Sequence, residues 1–156
     1  MDAAWLDETQ RAAWVKFIAV VELLPGVLET QLRRDSGLSH FEYFVLAMLS
    51  EAPERTLRMT ALADRVNATL PRLSHVVQRL EARGLITRFP CPEDGRATNA
   101  RLTDVGWDTV VAAAPGHVAA VRAYVIDTLS AQQVRQLDSI MTTLLTRLDP
   151  DNRMHS

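Results

Sequence analysis

The stretch LADRVNATLPRLSHVVQRLEARGLITR (residues 62–88), followed three residues later by PEDGRATNARLTDVG (residues 92–106), decides the fold of this 156-residue chain. Leu62, Ala63 and Val66 form a short helical stripe that Thr60 can cap. After about three residues of turn, Thr69 is placed to cap a second helix, with Pro71 tolerated in its first turn, where backbone donors lack partners anyway. Leu73, Val76, Val77 and Leu80 share one face of this second helix and must be buried, and Gly84 is a left-handed stop after Arg83. Residues 85–89 then read as a strand, residues 90–99 as a turn rich in Pro, Asp and Gly, and residues 100–103 as the returning strand of a β-hairpin.

Helix, short turn, helix and hairpin in that order make a winged helix-turn-helix. The face of the second helix opposite its core stripe holds Pro71, Ser74, His75 and Gln78, flanked by Arg72 and Arg79. It carries no large apolar group, offers several donors, and has the helix dipole at its N-terminus beside Thr69, all of which suits entry into the major groove of double-stranded DNA. Arg72 is placed to reach a guanine edge and Arg79 to hold phosphate. On the hairpin tip, Arg96 beside Gly95 is positioned for a narrow minor groove, while Asp94 is read as structuring the turn, because a turn aspartate bonds nearby amides.

Charge agrees with this reading. The whole chain carries a formal charge of -2, yet between Arg55 and Arg101 nine arginines face four acids, a local balance of +5 that leaves -7 for the rest. A basic middle between acidic flanks suits a chain of which one part meets a polyanion. A hydrophobic fraction of 47% and a charged fraction of 23% are globular averages, which excludes a disordered chain. No unbroken apolar run approaches membrane length, so no membrane partner is expected. The single cysteine, Cys91, excludes an internal disulfide, and an acidic start where a secretory signal would be basic points to the cytoplasm.

Outward from the lobe, Trp14, Phe17, Val21, Leu24 and Leu28 mark one long N-terminal helix over residues 7–34, expected to kink or break near Leu24 because Pro25 and Gly26 follow. Ser39 and Glu42 form a capping box for a helix that carries Phe41, Phe44, Val45, Met48 and Leu49 and ends before Pro53; residues 56–59 read as extended. Thr103 caps a helix running to about Leu129, bent midway by Pro115 and Gly116. Ser130 and Gln133 box the last helix, with Val134, Leu137, Met141, Leu144 and Leu148 at near-heptad spacing. The stripes of the first and last helices need more partner surface than one small lobe supplies, which favours a homodimer over packing within one subunit.

The run from Leu62 to Arg88, with the Asp94-Gly95-Arg96 triplet and then Leu102, Thr103 and Gly106, resembles the MarR family of bacterial transcription regulators over almost the whole chain. The resemblance implies a mainly α fold with a small β-hairpin: a winged lobe over residues 39–103 and a helical dimerisation region from residues 1–38 and 104–156. It implies a homodimer, held here through Trp14, Phe17, Val21, Val134, Leu137, Met141 and Leu144, that reads a pseudo-palindromic operator as a transcription regulator, expected to be a repressor. It implies further that a small aromatic or phenolic effector binds between the two regions, where Arg11, Trp14, His40, Tyr43 and Phe44 are the candidate contacts. Two departures bear on operator choice. The first turn of the recognition helix reads Thr69-Leu70-Pro71-Arg72 where small hydroxyl residues are usual, and His75 stands where Arg or Lys is frequent.

Other functions find little support. The six glycines are scattered, with no phosphate loop, nucleophile-base pair or paired carboxylates, so no enzyme and no cofactor are expected. His40, His75, His117 and His155 lack metal-ligand spacing. Cys91 near Arg88 and Arg96 admits a redox role, but an incidental exposed thiol fits better. A helical protein-interaction module with no specific DNA target would leave the arginines of the lobe without a purpose.

Overall fold

The computed structural model describes residues 3–154 and begins with a 29-residue helix, α1 (Glu8–Ser36). Asp7 caps it with a full capping box, accepting from Gln10 N while Gln10 bonds back to Asp7 N. Of the kink or break expected near Leu24, the break does not occur: the helix continues through Pro25. Proline removes one donor from the ladder, and the carbonyl left over, that of Val21, lies on a solvated stretch where water can serve it. Pro115 is carried in the same way inside α5 (Asp104–Tyr124), which ends five residues earlier than expected and passes into a 3₁₀ turn, Ile126–Thr128.

Between them lie α2 (His40–Glu51), β1 (Thr56–Arg58), α3 (Met59–Arg65), α4 (Leu70–Ala82), β2 (Ile86–Pro90) and β3 (Thr98–Leu102). The Ser39–Glu42 capping box opens α2 and Thr69 caps α4, its Oγ1 accepting from Arg72 N. Thr60 is not the cap of α3. Buried Met59 already begins the helix, with Arg58 at the cap position and no side-chain bond there. The turn into α4 is made at Asn67, whose φ of 50° is a left-handed conformation that asparagine tolerates better than most residues.

The hairpin is one part of a three-stranded antiparallel sheet, ordered β1-β3-β2, with Leu57 opposite Ala100 and Arg88 opposite Ala100 on the other side. β1 therefore ties the front of the helix-turn-helix to the wing. A single core lies beneath: Leu38, Val45, Leu46, Leu49, Leu62, Leu73, Val77, Leu80, Ile86 and Ala100 are sealed from solvent, and Leu32 of α1 joins them. Gly106 marks the closest approach, since a Cβ there would stand 2.2 Å from the Leu85 carbonyl oxygen. The last helix, α6 (Ala131–Leu148), opens on the Ser130–Gln133 box and has no buried residue.

Candidate nucleic-acid interface

The core face of α4 turns Leu73, Val76, Val77 and Leu80 inward, so Pro71, Arg72, His75, Gln78 and Arg79 are left exposed and Ser74 half-exposed on the outer side. Two arginines of this face already lean on α2: the Arg72 guanidinium lies 4.1 Å from the centre of the Phe41 ring, and Arg79 stands 3.8 Å from the Glu42 carboxylate, which also faces Arg83 at 3.8 Å. At 3.8 Å these are loose ion pairs from two exposed guanidinium groups to a mostly covered carboxylate, and the distance leaves Arg79 able to swing outward. Stacking on Phe41 sets Arg72 toward the α2 side of the helix.

The wing is built by its own backbone. Cys91 N donates to Ala97 O (2.8 Å), Ala97 N to Asp94 O (2.9 Å), and Asp94 Oδ1 accepts from Arg96 N (3.1 Å). With Asp94 occupied by the turn, the Arg96 guanidinium has no side-chain partner among the described residues and projects from an exposed tip. Cys91, expected to be exposed, is buried. Backbone amides of Glu93 and Asp94 point at its sulfur and hold the thiol below its ordinary range, with the nearby Arg58 adding to the effect.

Not all of the local positive charge faces outward. Arg55 stacks on Trp107 at 4.0 Å and pairs with Asp104, and Arg101 lies over Phe89 at 4.7 Å while donating to Thr56 Oγ1. These two fasten the sheet to α5 and to itself. Arg88, read from the sequence as a strand residue only, is in β2 opposite Ala100 and turns its side chain into the angle between α4 and the wing. Its alternation with buried Ile86 along the strand is the signal that could have placed it on the α4 side.

The candidate effector contacts divide into two groups. His40, Tyr43 and Phe44 lie on α2, where the Tyr43 ring packs 4.6 Å from His117 of α5 and His40 lies 6.2 Å from the same ring. Burial lowers the pKa of both histidines and raises that of Tyr43, and His117 Nδ1 is buried with no hydrogen-bond partner. His40 N donates to Glu29 of α1 at 2.6 Å, which holds that carboxyl below its usual range. Arg11, exposed, and Trp14 sit 18 and 15 residues before Glu29, about 27 and 22 Å away along the axis of α1, so within one chain they do not join the cluster. His117, not singled out from the sequence, takes their place.

The stripes named for dimerisation lie open. Trp14, Val21 and Leu144 are exposed, with Val15, Val20, Leu23, Ile140 and Leu148 beside them; Phe17, Val134, Leu137 and Met141 are half-covered. No group of three or more His, Cys, Asp or Glu among the described residues is arranged to hold a metal, and His155 lies outside those residues. Over Asp104–Thr128 the chain holds a helix long and apolar enough, with mean hydropathy 1.4, to cross a membrane by length and composition alone. The run is not unbroken: its alanines and valines are interrupted by Pro115, Gly116 and His117, and α5 packs along α1 and α2.

A recognition helix with a polar outer face, a short helix ahead of it, and a three-stranded sheet ending in an arginine-tipped wing define a winged helix-turn-helix DNA-binding protein. The profile of the MarR family matches residues 38–98. Over 96% of its length the chain is 42% identical to Sco3205, a MarR family transcriptional regulator of Streptomyces coelicolor solved in complex with DNA, covering 93% of that chain with a TM-score of 0.91. AbsC, a second MarR family regulator of the same organism, is 35% identical over 94% of this chain and 98% of its own, with a TM-score of 0.89. The chain belongs to the MarR family of transcriptional regulators. It is also 33% identical over 66 residues to the HTH-type transcriptional repressor IacR of Pseudomonas putida, a match spanning 42% of this chain and 38% of that protein's length.

Proposed function

We propose that this chain acts as a homodimer that binds a pseudo-palindromic operator and represses transcription, each winged lobe reading one half-site. The observation that carries the reading is the outer face of α4 with Arg72, Ser74, His75, Gln78 and Arg79, set beside a wing whose Arg96 guanidinium has no side-chain acceptor among the described residues. Similarity to a regulator solved on DNA supports the DNA partner, and similarity to IacR supports repression. The unburied stripes of α1 and α6 support the dimer, because exposed apolar patches of that extent on a single chain call for a covering surface. Residues 39–103 would then be the DNA-reading lobe, and residues 1–38 and 104–156 the dimerisation region.

An aromatic or phenolic acid is the proposed effector. The His40–Tyr43–His117 cluster joins α2 of the lobe to α5, and its polar edges and the unpartnered Nδ1 of His117 suit a small oxygen-bearing ring; Phe44 lies on the same helix, while Arg11 and Trp14 could reach such a site only from a second subunit. A mobility-shift titration against the DNA upstream of its own gene, with unrelated competitor, tests the central reading. Tight, competitor-resistant binding that weakens with salt is expected, and retention no better than on the competitor would overturn it. Benzoate-class acids added to that complex should release the DNA, and His117→Phe should blunt the release.

A further inference from the structure

Ser74 and Glu81 lie seven residues apart on α4, two turns along the same face, and one side chain from the wing bridges them. Arg88 Nη1 stands 3.3 Å from Ser74 Oγ, Arg88 Nη2 donates to Glu81 Oε1 at 3.0 Å, and the Arg88 backbone N–H donates to Glu81 Oε2 at 3.1 Å. The guanidinium is thus fixed lengthwise against the recognition helix, about a quarter exposed. Arginine has five N–H donors in a rigid fork. Two are used here, so three remain, and the residue lines a cleft of about 230 Å³ between α4 and the wing.

Thr60, Leu70, Ser74, Thr98, Arg88 and Arg96 are among the residues that line that cleft, and the two arginines are its only charged side chains among the described residues. A positively charged recess with hydroxyls at its rim, open beside the helix expected to enter the major groove, has the chemistry of a phosphate seat. We propose that Arg88, with Arg96 across the cleft, clamps one backbone phosphate of duplex DNA between the recognition helix and the wing. The proposal rests on the DNA-binding reading above, but not on any particular operator, because a phosphate contact carries no sequence information. Glu81 is the positioning residue: it orients the guanidinium through a paired contact and leaves its outer donors free. The clamp also sets the angle of the wing to α4, so that one anion fastens both reading elements.

The test is the salt dependence of binding to a duplex of arbitrary sequence, measured by fluorescence anisotropy for the wild type, Arg88→Gln, Arg88→Lys and Glu81→Gln. The slope of log K against log salt counts neutralised phosphates, so Arg88→Gln should flatten it by about one unit per bound chain. Arg88→Lys should keep the slope while losing affinity, since the charge remains and the fork is gone. Glu81→Gln supplies a readout should Arg88→Gln fail to fold: the amide oxygen still accepts from the guanidinium and holds its direction while the competing negative charge is gone, so binding should tighten and the slope should not fall. An Arg88→Gln protein with the wild-type slope, or a Glu81→Gln protein that binds more weakly in step with a lower Tm, would make the bridge purely structural and overturn the clamp. Neither result touches the operator reading, which fails on a different observation: no preference for upstream DNA over competitor.

Discussion

The winged lobe and the terminal helices are built on opposite terms. In the lobe, α2, α3, α4 and the sheet enclose Leu46, Leu62, Leu73, Val77 and Leu80 so fully that none retains measurable exposure. In α6 no residue is buried, and the first two turns of α1 end in Trp14, which is half-exposed. Both regions have amphipathic patterns of similar strength in the sequence. The lobe satisfies its pattern within one chain, whereas α6 and the N-terminal half of α1 present theirs outward. An apolar stripe that its own subunit leaves at best half-covered calls for a covering surface.

The largest effect should come from breaking the lobe's own core. Leu46→Ala removes a sealed side chain and should cost about 2–5 kcal/mol in chemical denaturation. The matching change on α6, Leu148→Ala, where the side chain is 76% exposed, should cost less than about 0.5 kcal/mol if the helix meets nothing, and more if a partner covers it. Gly106→Ala comes next. Its Cβ would collide with the backbone carbonyl of Leu85, which cannot rotate away, so a loss of about 1–3 kcal/mol is expected, with the junction of wing and α5 opened. Measured stability equal to wild type would mean that α5 can shift freely on the lobe.

Leu144→Asp separates the regions in another way, placing a charge on the open stripe of α6. Sedimentation should give a single-chain mass with the lobe still folded, and DNA affinity should fall because paired half-sites can no longer be used. Arg72→Ala should cost about 1–3 kcal/mol at one base position of each half-site if the side chain swings off Phe41 to read a base. Equal losses on all sequences would leave it a phosphate contact. Arg96→Ala should lower the salt slope by about one unit per chain.

The smallest effect is in pH. Burial holds the pKa of His40 and His117 below the ordinary histidine value in the folded state. As pH falls through about 6.5, the unfolded chain takes up protons that the folded chain does not, so stability declines from neutral pH downward until the folded values are passed. Removing one imidazole, as in His117→Phe, should flatten Tm against pH between about 7 and 5.5. Glu29, Asp35 and Glu81, each held below its ordinary value by neighbouring donors, contribute in a separate window below about 4.5, where protonating them removes their native partners' advantage.

Much of this was legible before any coordinates. Capping boxes at Ser39 and Ser130, the Thr69 and Thr103 caps, and the buried stripe of α4 follow from local chemistry, and local chemistry is what a sequence displays. What escaped depends on long-range pairing. Residues 56–59 read as extended, but that Thr56, Leu57 and Arg58 join the hairpin as a third strand shows only in their pairing with β3, more than forty residues away. Arg88 became part of the interface only through Ser74 and Glu81, and Cys91 was covered only by the folding of the wing around it. Pro25 and Pro115 both lie inside helices that continue past them, because a single lost donor within a long ladder is a cost that packing on either side outweighs. The effector candidates divide because α2 meets α1 at Glu29, more than 20 Å along that helix from Arg11 and Trp14.

Sedimentation equilibrium of the intact chain at low micromolar concentration tests most directly whether the two regions differ in the way described. A mass of twice the 17.4 kDa of one chain, collapsing to that of one chain in Leu144→Asp without loss of the lobe's helical signal, is the predicted result. A wild-type protein that sediments as a single folded chain would contradict it, because the open stripes of α1 and α6 would then be stable in water without a partner.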